Sequence, residues 1–152
     1  MVEEAATEVI AREHAAGRDE PWRSPAFIDT IVEWQRERQL SAPAEGLLFF
    51  DRSPVCTYAL SLWLGYPPSA ALLAELERIR AGQVFERRVF FAQNLGFCTP
   101  TQARRISYEE SLRFEQVHAE AYRRWDYELV MVPAAPVTKR ADLVLGAVGR
   151  GP

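Results

Sequence analysis

The residues best able to do chemistry in this chain stand side by side at positions 51 and 52. The apolar run "LLFF" (47–50) stops at Asp51-Arg52, a Ser-Pro follows, and helical spacing then resumes. An acid and a base that close an apolar run have two uses. They can solubilise a strand end, or they can handle a charged ligand at the carboxyl edge of a sheet. The other reactive residue types are scattered. Cys56, Cys98, His14 and His118 are isolated from one another and no pair has the spacing of a metal site.

The rest of the chain narrows the classes. Its 152 residues suffice for one domain with a real core, and 48% apolar against 26% charged residues is ordinary for a globular protein. A net charge of -3 leaves no basic excess for duplex DNA or RNA, so nucleic acid is not an expected partner. No apolar run approaches the ~20 residues of a membrane span, and "MVEEAATEVI" lacks the basic and apolar regions of a signal peptide. With two distant cysteines, a reducing cytoplasm is the expected compartment.

The elements that must position Asp51 and Arg52 follow from periodicity and caps. Residues 4 to 16 predict a helix that stops at Gly17. Ser24-Pro25 starts a second to about Gln39, with Phe27, Ile28, Ile31 and Val32 on one face. After the linker "LSAPAEG", "LLFFD" reads as a strand buried on both faces. Ser53-Pro54 opens a helix to Gly65. Ser69 caps another, with Leu72, Leu73, Leu76 and Ile79 inward and Gly82 at its end. "RRVFFAQ" is a second buried strand, "NLGFCTPTQARR" a loop, and Ser107 with Glu110 a capping box for a helix to about Trp125. "YELVMVP" is a third strand and "PVTKRADLVL" a last helix. The domain is expected to cover 1–146, with 147–152 a disordered tail. Unbroken apolar strands alternating with helices predict an α/β domain with a mostly parallel sheet. Ligands bind beyond the carboxyl ends of such strands, which favours the ligand use of Asp51-Arg52.

The order helix, "FFDRSP", helix, "RRVFF", arginine-bearing loop, capped helix, "YELVMVP", "PVTKRADLVL" resembles the AAA-ATPase family related to the ribosylnicotinamide kinase domain of NadR, P-loop proteins of the small-molecule-kinase type. The resemblance runs from about Val2 to Leu145. It implies a three-layer P-loop-NTPase-like parallel sheet flanked by helices, and an ATP-dependent phosphotransferase or NTPase that uses ATP and Mg²⁺. It also implies a phosphate-binding loop, GxxxxGK[ST], which the sequence does not contain; its only lysine, Lys139, follows Val137-Thr138. In the family the first strand, that loop and its helix would occupy about 25–30 residues ahead of Val2. The chain therefore reads as a family member whose first strand and P-loop are absent, inactive and without tight ATP binding by itself. The alternative is a non-catalytic binding module derived from the same fold.

The resemblance also assigns residues. Asp51 would help hold Mg²⁺ or orient the attacking group beside the nucleotide, and Arg52 would reach a phosphate or the substrate with its fork. Glu4 would accept the proton of an attacking hydroxyl, with Glu3 beside it in contact with substrate, although a helix dipole alone favours an acid in that place. Arg104 and Arg105 would be lid arginines on the transferring phosphoryl group. Many relatives carry an acidic residue just before; here Thr101 or Gln102 holds that place. Pro133 and Ala134 would pass the adenine through backbone groups. Cys56 stands where some relatives have an Asp and reads as a small apolar helix residue. Among the tryptophans, Trp22 is the one expected to stack on substrate, whereas Trp34 and Trp125 read as packing residues. A nucleotide and a small-molecule substrate are the expected partners; the substrate's identity and the oligomeric state are not written in the sequence.

Overall fold

A computed structural model describes residues 1–97 and 106–149. The chain forms two compact units, Met1–Phe85 and Glu86–Pro152.

The first unit is helical. Helix α1 (Ala5–Ala15) lays Ala5, Val9 and Ile10 inward, and α2 (Ala26–Ser41) answers with Phe27, Ile28, Ile31 and Val32. These are the i, i+3, i+4 positions of one helix face. Ala5, Val9, Ile10, Phe27 and Ile31 form a cluster that Trp22, Trp34 and Leu60 cover. Burying each of the larger side chains stabilises the unit by about 1.5–3 kcal/mol. Two helices complete it. Helix α3 (Pro54–Trp63) starts with Pro54 in its first turn, where no amide donor is lost, and is buried along most of its length. Its buried hydroxyls are satisfied: Thr57 donates to Gln35 Oε1 at 2.8 Å and Ser61 to the Tyr58 carbonyl at 2.8 Å. Helix α4 (Ala70–Ala81) is capped by Ser69, whose Oγ accepts from the Leu72 amide at 3.1 Å. Leu72, Leu76 and Ile79 are buried, but Leu73 is exposed, and Glu75 takes the inward place expected of it. Glu75 is only 3% exposed and accepts two hydrogen bonds of 2.8 Å from Arg78. Arg78 also donates to Gln39 of α2 at 2.7 Å, which locks α4 to α2 through a satisfied charge.

Several helix ends differ from the expectation. Ser24 does not cap α2, whose N-cap position falls on Pro25 without a side-chain hydrogen bond, and the helix runs past Gln39 to Ser41. Ser53 occupies the N-cap of α3, yet its side chain does not bond the helix amides.

The second unit holds the sheet. Strand β1 (Arg88–Ala92) pairs in parallel with β2 (Glu128–Val132), with Phe90 opposite Val130. Helix α5 (Tyr108–Arg124) and helix α6 (Val137–Val148) pack on β2. The capping box at the start of α5 is complete: the Glu110 amide donates to Ser107 Oγ at 3.1 Å and the Ser107 amide to Glu110 Oε2 at 2.7 Å. That hydrogen bond holds the Glu110 carboxyl below its ordinary range. Helix α6 extends to Val148, two residues into the stretch read as a tail.

The sheet itself corrects the sequence reading. The expected three-layer sheet with several strands is, among the described residues, a two-stranded parallel pair. Residues 47–51 make no strand; they contribute one parallel bridge, Val2 to Phe50. Nor are the strands buried on both faces. Val89, Phe90, Phe91, Leu129 and Val130 are half-buried, Met131 is 40% exposed, and only Val132 is fully covered. An apolar run sets a preference for extended chain, but the ladder and the burial come from neighbours.

Candidate functional site

The site grows from the single bridge. The Val2 amide donates to the Phe49 carbonyl at 2.7 Å, and the Asp51 amide donates to the Val2 carbonyl at 2.8 Å. The two segments run parallel, so both leave the bridge in the same direction. Glu3 and Glu4 therefore emerge on the same edge as Asp51 and Arg52, although some 47 positions separate them in the sequence. Phe50 is fixed from its own side by an edge-on contact with Phe85, ring centroids 5.2 Å apart.

Each charged residue on this edge is held differently. Glu4 is the N-cap residue of α1, but its side chain caps nothing. Its Oε2 accepts from Thr7 Oγ1 at 2.8 Å, and its Oε1 lies 3.5 Å from Arg52 Nε. Arg52 thus pairs across the edge with Glu4, not with its neighbour Asp51 as a local salt bridge would require. Its backbone is left-handed, φ +73°. That conformation costs a non-glycine residue roughly 1–2 kcal/mol and turns the chain from the bridge into α3. Asp51 is exposed, and its carboxylate makes no hydrogen bond or ion pair among the described residues.

Glu3 is exposed, and its contribution to the architecture is its backbone. Its carbonyl accepts from Arg38 Nη1 of α2 at 2.6 Å, while Arg38 Nη2 pairs with Glu8. Arg38 also lies 5.9 Å from the centre of the Trp34 ring, whose face Arg12 covers at 4.1 Å. This arginine ties the segment that carries Glu3 and Glu4 to α2. Thr7 and Arg38 were not singled out by the sequence. The Glu4–Thr7 spacing, three residues at a helix start, was a usable signal; nothing local marked Arg38, which acts across 35 positions.

The remaining candidates belong to other elements or fall outside the described residues. Trp22 sits in a single 3₁₀ turn (Pro21–Arg23), half-buried against the α1–α2 cluster. Its carbonyl accepts from the Tyr66 hydroxyl at 3.0 Å, and its ring meets His14 edge-on at 6.3 Å. Pro133 and Ala134 are exposed in the second unit, between β2 and α6, where Arg140 Nε donates to the Ala135 carbonyl at 3.0 Å. Arg104 and Arg105 lie outside the described residues. Cys56 is buried in α3, as an apolar helix residue should be.

A family description of an AAA domain matches residues 1–140. The chain belongs to the AAA-domain family. No curated protein and no solved structure matches it. AAA domains are of the P-loop NTPase type, and the match takes in Glu3, Glu4, Asp51, Arg52 and the Pro133-Ala134 loop. The helix-rich α/β architecture with a parallel strand pair is consistent with that type. Among the described residues, no helix is long and apolar enough to cross a membrane.

For ATP and Mg²⁺, the fit of this AAA-domain chain is divided. Among the described residues no three His, Cys, Asp or Glu side chains converge on a metal position. Mg²⁺ keeps several waters and takes one or two carboxylates beside substrate phosphates, so one exposed carboxylate, Asp51, suits it. For the triphosphate, the 152 residues contain no GxxxxGK[ST], and the one lysine, Lys139, lies within α6.

Proposed function

We propose that this AAA-domain chain carries the acid–base and substrate edge of an ATP-dependent small-molecule phosphotransferase or NTPase, cytoplasmic and related to the ribosylnicotinamide kinase domain of NadR. The phosphate cradle would come from outside these 152 residues. One observation carries the reading: the parallel bridge brings Glu4, Arg52 and Asp51 to one edge, with Glu4 and Arg52 3.5 Å apart. In this reading Asp51 serves as the carboxylate ligand of Mg²⁺, directly or through water. Arg52 holds a phosphate or the substrate, and Glu4 takes the proton from the attacking hydroxyl. Glu3 and Trp22 face substrate, Pro133 and Ala134 pass the adenine, and Arg104 and Arg105 stabilise charge on the transferring group.

A second reading, a binding module that performs no phosphoryl transfer, is favoured by the sequence's lack of any GxxxxGK[ST]. Calorimetry with ATP·Mg²⁺ separates the two. The 152-residue chain alone should bind at millimolar affinity or weaker, about 4 kcal/mol or less. Supplying a strand–GxxxxGK[ST]–helix segment should tighten binding into the micromolar range and bring phosphate release with it. Micromolar binding by the chain alone contradicts the missing-cradle account. No gain on adding the segment leaves the binding-module reading.

A further inference from the structure

The two oxygens of Glu4 have unequal partners. Oε2 accepts a full hydrogen bond from Thr7 Oγ1 at 2.8 Å, within the same helix turn. Oε1 faces Arg52 Nε at 3.5 Å, a distance at which the attraction is ionic and any hydrogen bond is weak. Both members of the ion pair are reached by solvent, with side chains 38% and 30% exposed. An exposed pair of this kind contributes little and is readily exchanged. The Thr7 bond lies within one helix turn and does not involve Arg52.

We propose that Arg52 is an anion-binding residue whose place is held in this structure by the chain's own carboxylate. A phosphate-type anion takes the guanidinium from Glu4, and Thr7 keeps Glu4 in position while this happens. Thr7 is then a positioning residue, because it stops Glu4 from turning both oxygens onto Arg52. The exchange transfers no proton and breaks no covalent bond; one anionic partner of the guanidinium replaces another. The inference rests on the proposed function for the roles of Glu4 and Arg52, and it adds the competition between them and the part of Thr7.

The test is a titration of the ¹⁵N-labelled chain with inorganic pyrophosphate, at low salt and without divalent metal. It follows the Arg52 Nε–Hε resonance, assigned with Arg52→Lys. The parent resonance should move and saturate. Glu4→Gln should bind pyrophosphate about 2–5-fold more tightly, since the competing charge is gone. Thr7→Val should bind roughly twofold more weakly, since Glu4 is freed to compete with both oxygens, and Thr7→Ser should restore the parent value. Thermal melts establish that the variants fold, and Thr7 is exposed, so its hydroxyl is not a core group. Tripolyphosphate and ribose 5-phosphate separate the sources: the tighter of the two names a nucleotide's phosphate chain or a phosphorylated substrate, and either supports the exchange. A resonance unmoved by every anion overturns the proposal, as does a Glu4→Gln affinity equal to the parent's or a Thr7→Val effect in the opposite direction. Mn²⁺ broadening around Asp51, abolished by Asp51→Asn, is read separately and bears on the proposed function, so one can fail without the other.

Discussion

The two units place their sequence signals differently. In Met1–Phe85, helices supply their own backbone hydrogen bonds, their apolar faces meet, and Ile31, Leu72, Leu76 and Ile79 are at most 1% exposed. The charged residues of interest stand on that packed frame, at the one place where two extended segments touch. In Glu86–Pro152 the strongest apolar runs form the two paired strands, yet they remain half-covered. A helix can satisfy itself, whereas a parallel strand depends on neighbours for both its ladder and its burial. Equal apolarity in sequence therefore gives a tight core in one unit and a half-covered sheet in the other.

The largest expected effect tests that contrast directly. Ile31→Ala should cost the first unit about 2–5 kcal/mol, by lost transfer energy and a cavity. Val130→Ala in half-buried β2 should cost the second about 1 kcal/mol, since less area leaves water. Denaturant titrations can follow each separately, because Trp22, Trp34 and Trp63 report on one unit and Trp125 on the other. Equal losses would break the comparison.

The next effect concerns the tie between frame and site. Arg38→Met removes the donors to the Glu3 carbonyl and Glu8 and should destabilise the first unit by roughly 1.5–3 kcal/mol. It should also speed hydrogen exchange at the amides of Val2 and Asp51, which form the bridge. Arg38→Lys should recover little, since one ammonium cannot serve both acceptors with the guanidinium's fixed fork. Unchanged exchange at the bridge would show that Arg38 does not hold the segment.

The smallest effect sharpens the description of the second unit. Ser107→Ala should cost α5 about 1 kcal/mol. The carboxyl of Glu110 is held low by its hydrogen bond from the Ser107 backbone, so the folded state binds its proton less readily than the unfolded state does. Its stabilisation is then complete above the ordinary glutamate range and fades as pH falls through the lowered folded value. Melts across acidic pH should show a smaller loss in Glu110→Gln than in the parent, the remainder including Glu13, which its hydrogen bond from Arg18 also holds low.

Legibility followed the same division. The capping box of α5, the Ser69 cap and the inward face of α2 were readable because caps and 3.6-residue periodicity are local. Asp51-Arg52 was readable as a candidate because charge interrupts an apolar run. The Arg52–Glu4 pairing was not, since it depends on a bridge between segments distant in sequence. Leu73 does not take its expected inward place, and Glu75 is buried there because Arg78 donates to both oxygens of its carboxylate. Residues 47–51 were read as a strand from composition, and composition does not say how many neighbours a strand will find.

The central claim is that the edge joining Glu4, Arg52 and Asp51 performs nucleotide chemistry. The most direct measurement is phosphate release or transfer by Asp51→Asn, in a form of the protein that carries a phosphate-binding loop, beside its thermal melt. Asp51 is exposed and its carboxylate has no partner among the described residues, so the melt should match the parent's. Turnover should fall roughly 100-fold or more, the size of effect seen when one group that stabilises transition-state charge is removed. A variant that melts and turns over like the parent would make Asp51 a solubilising residue and contradict the account.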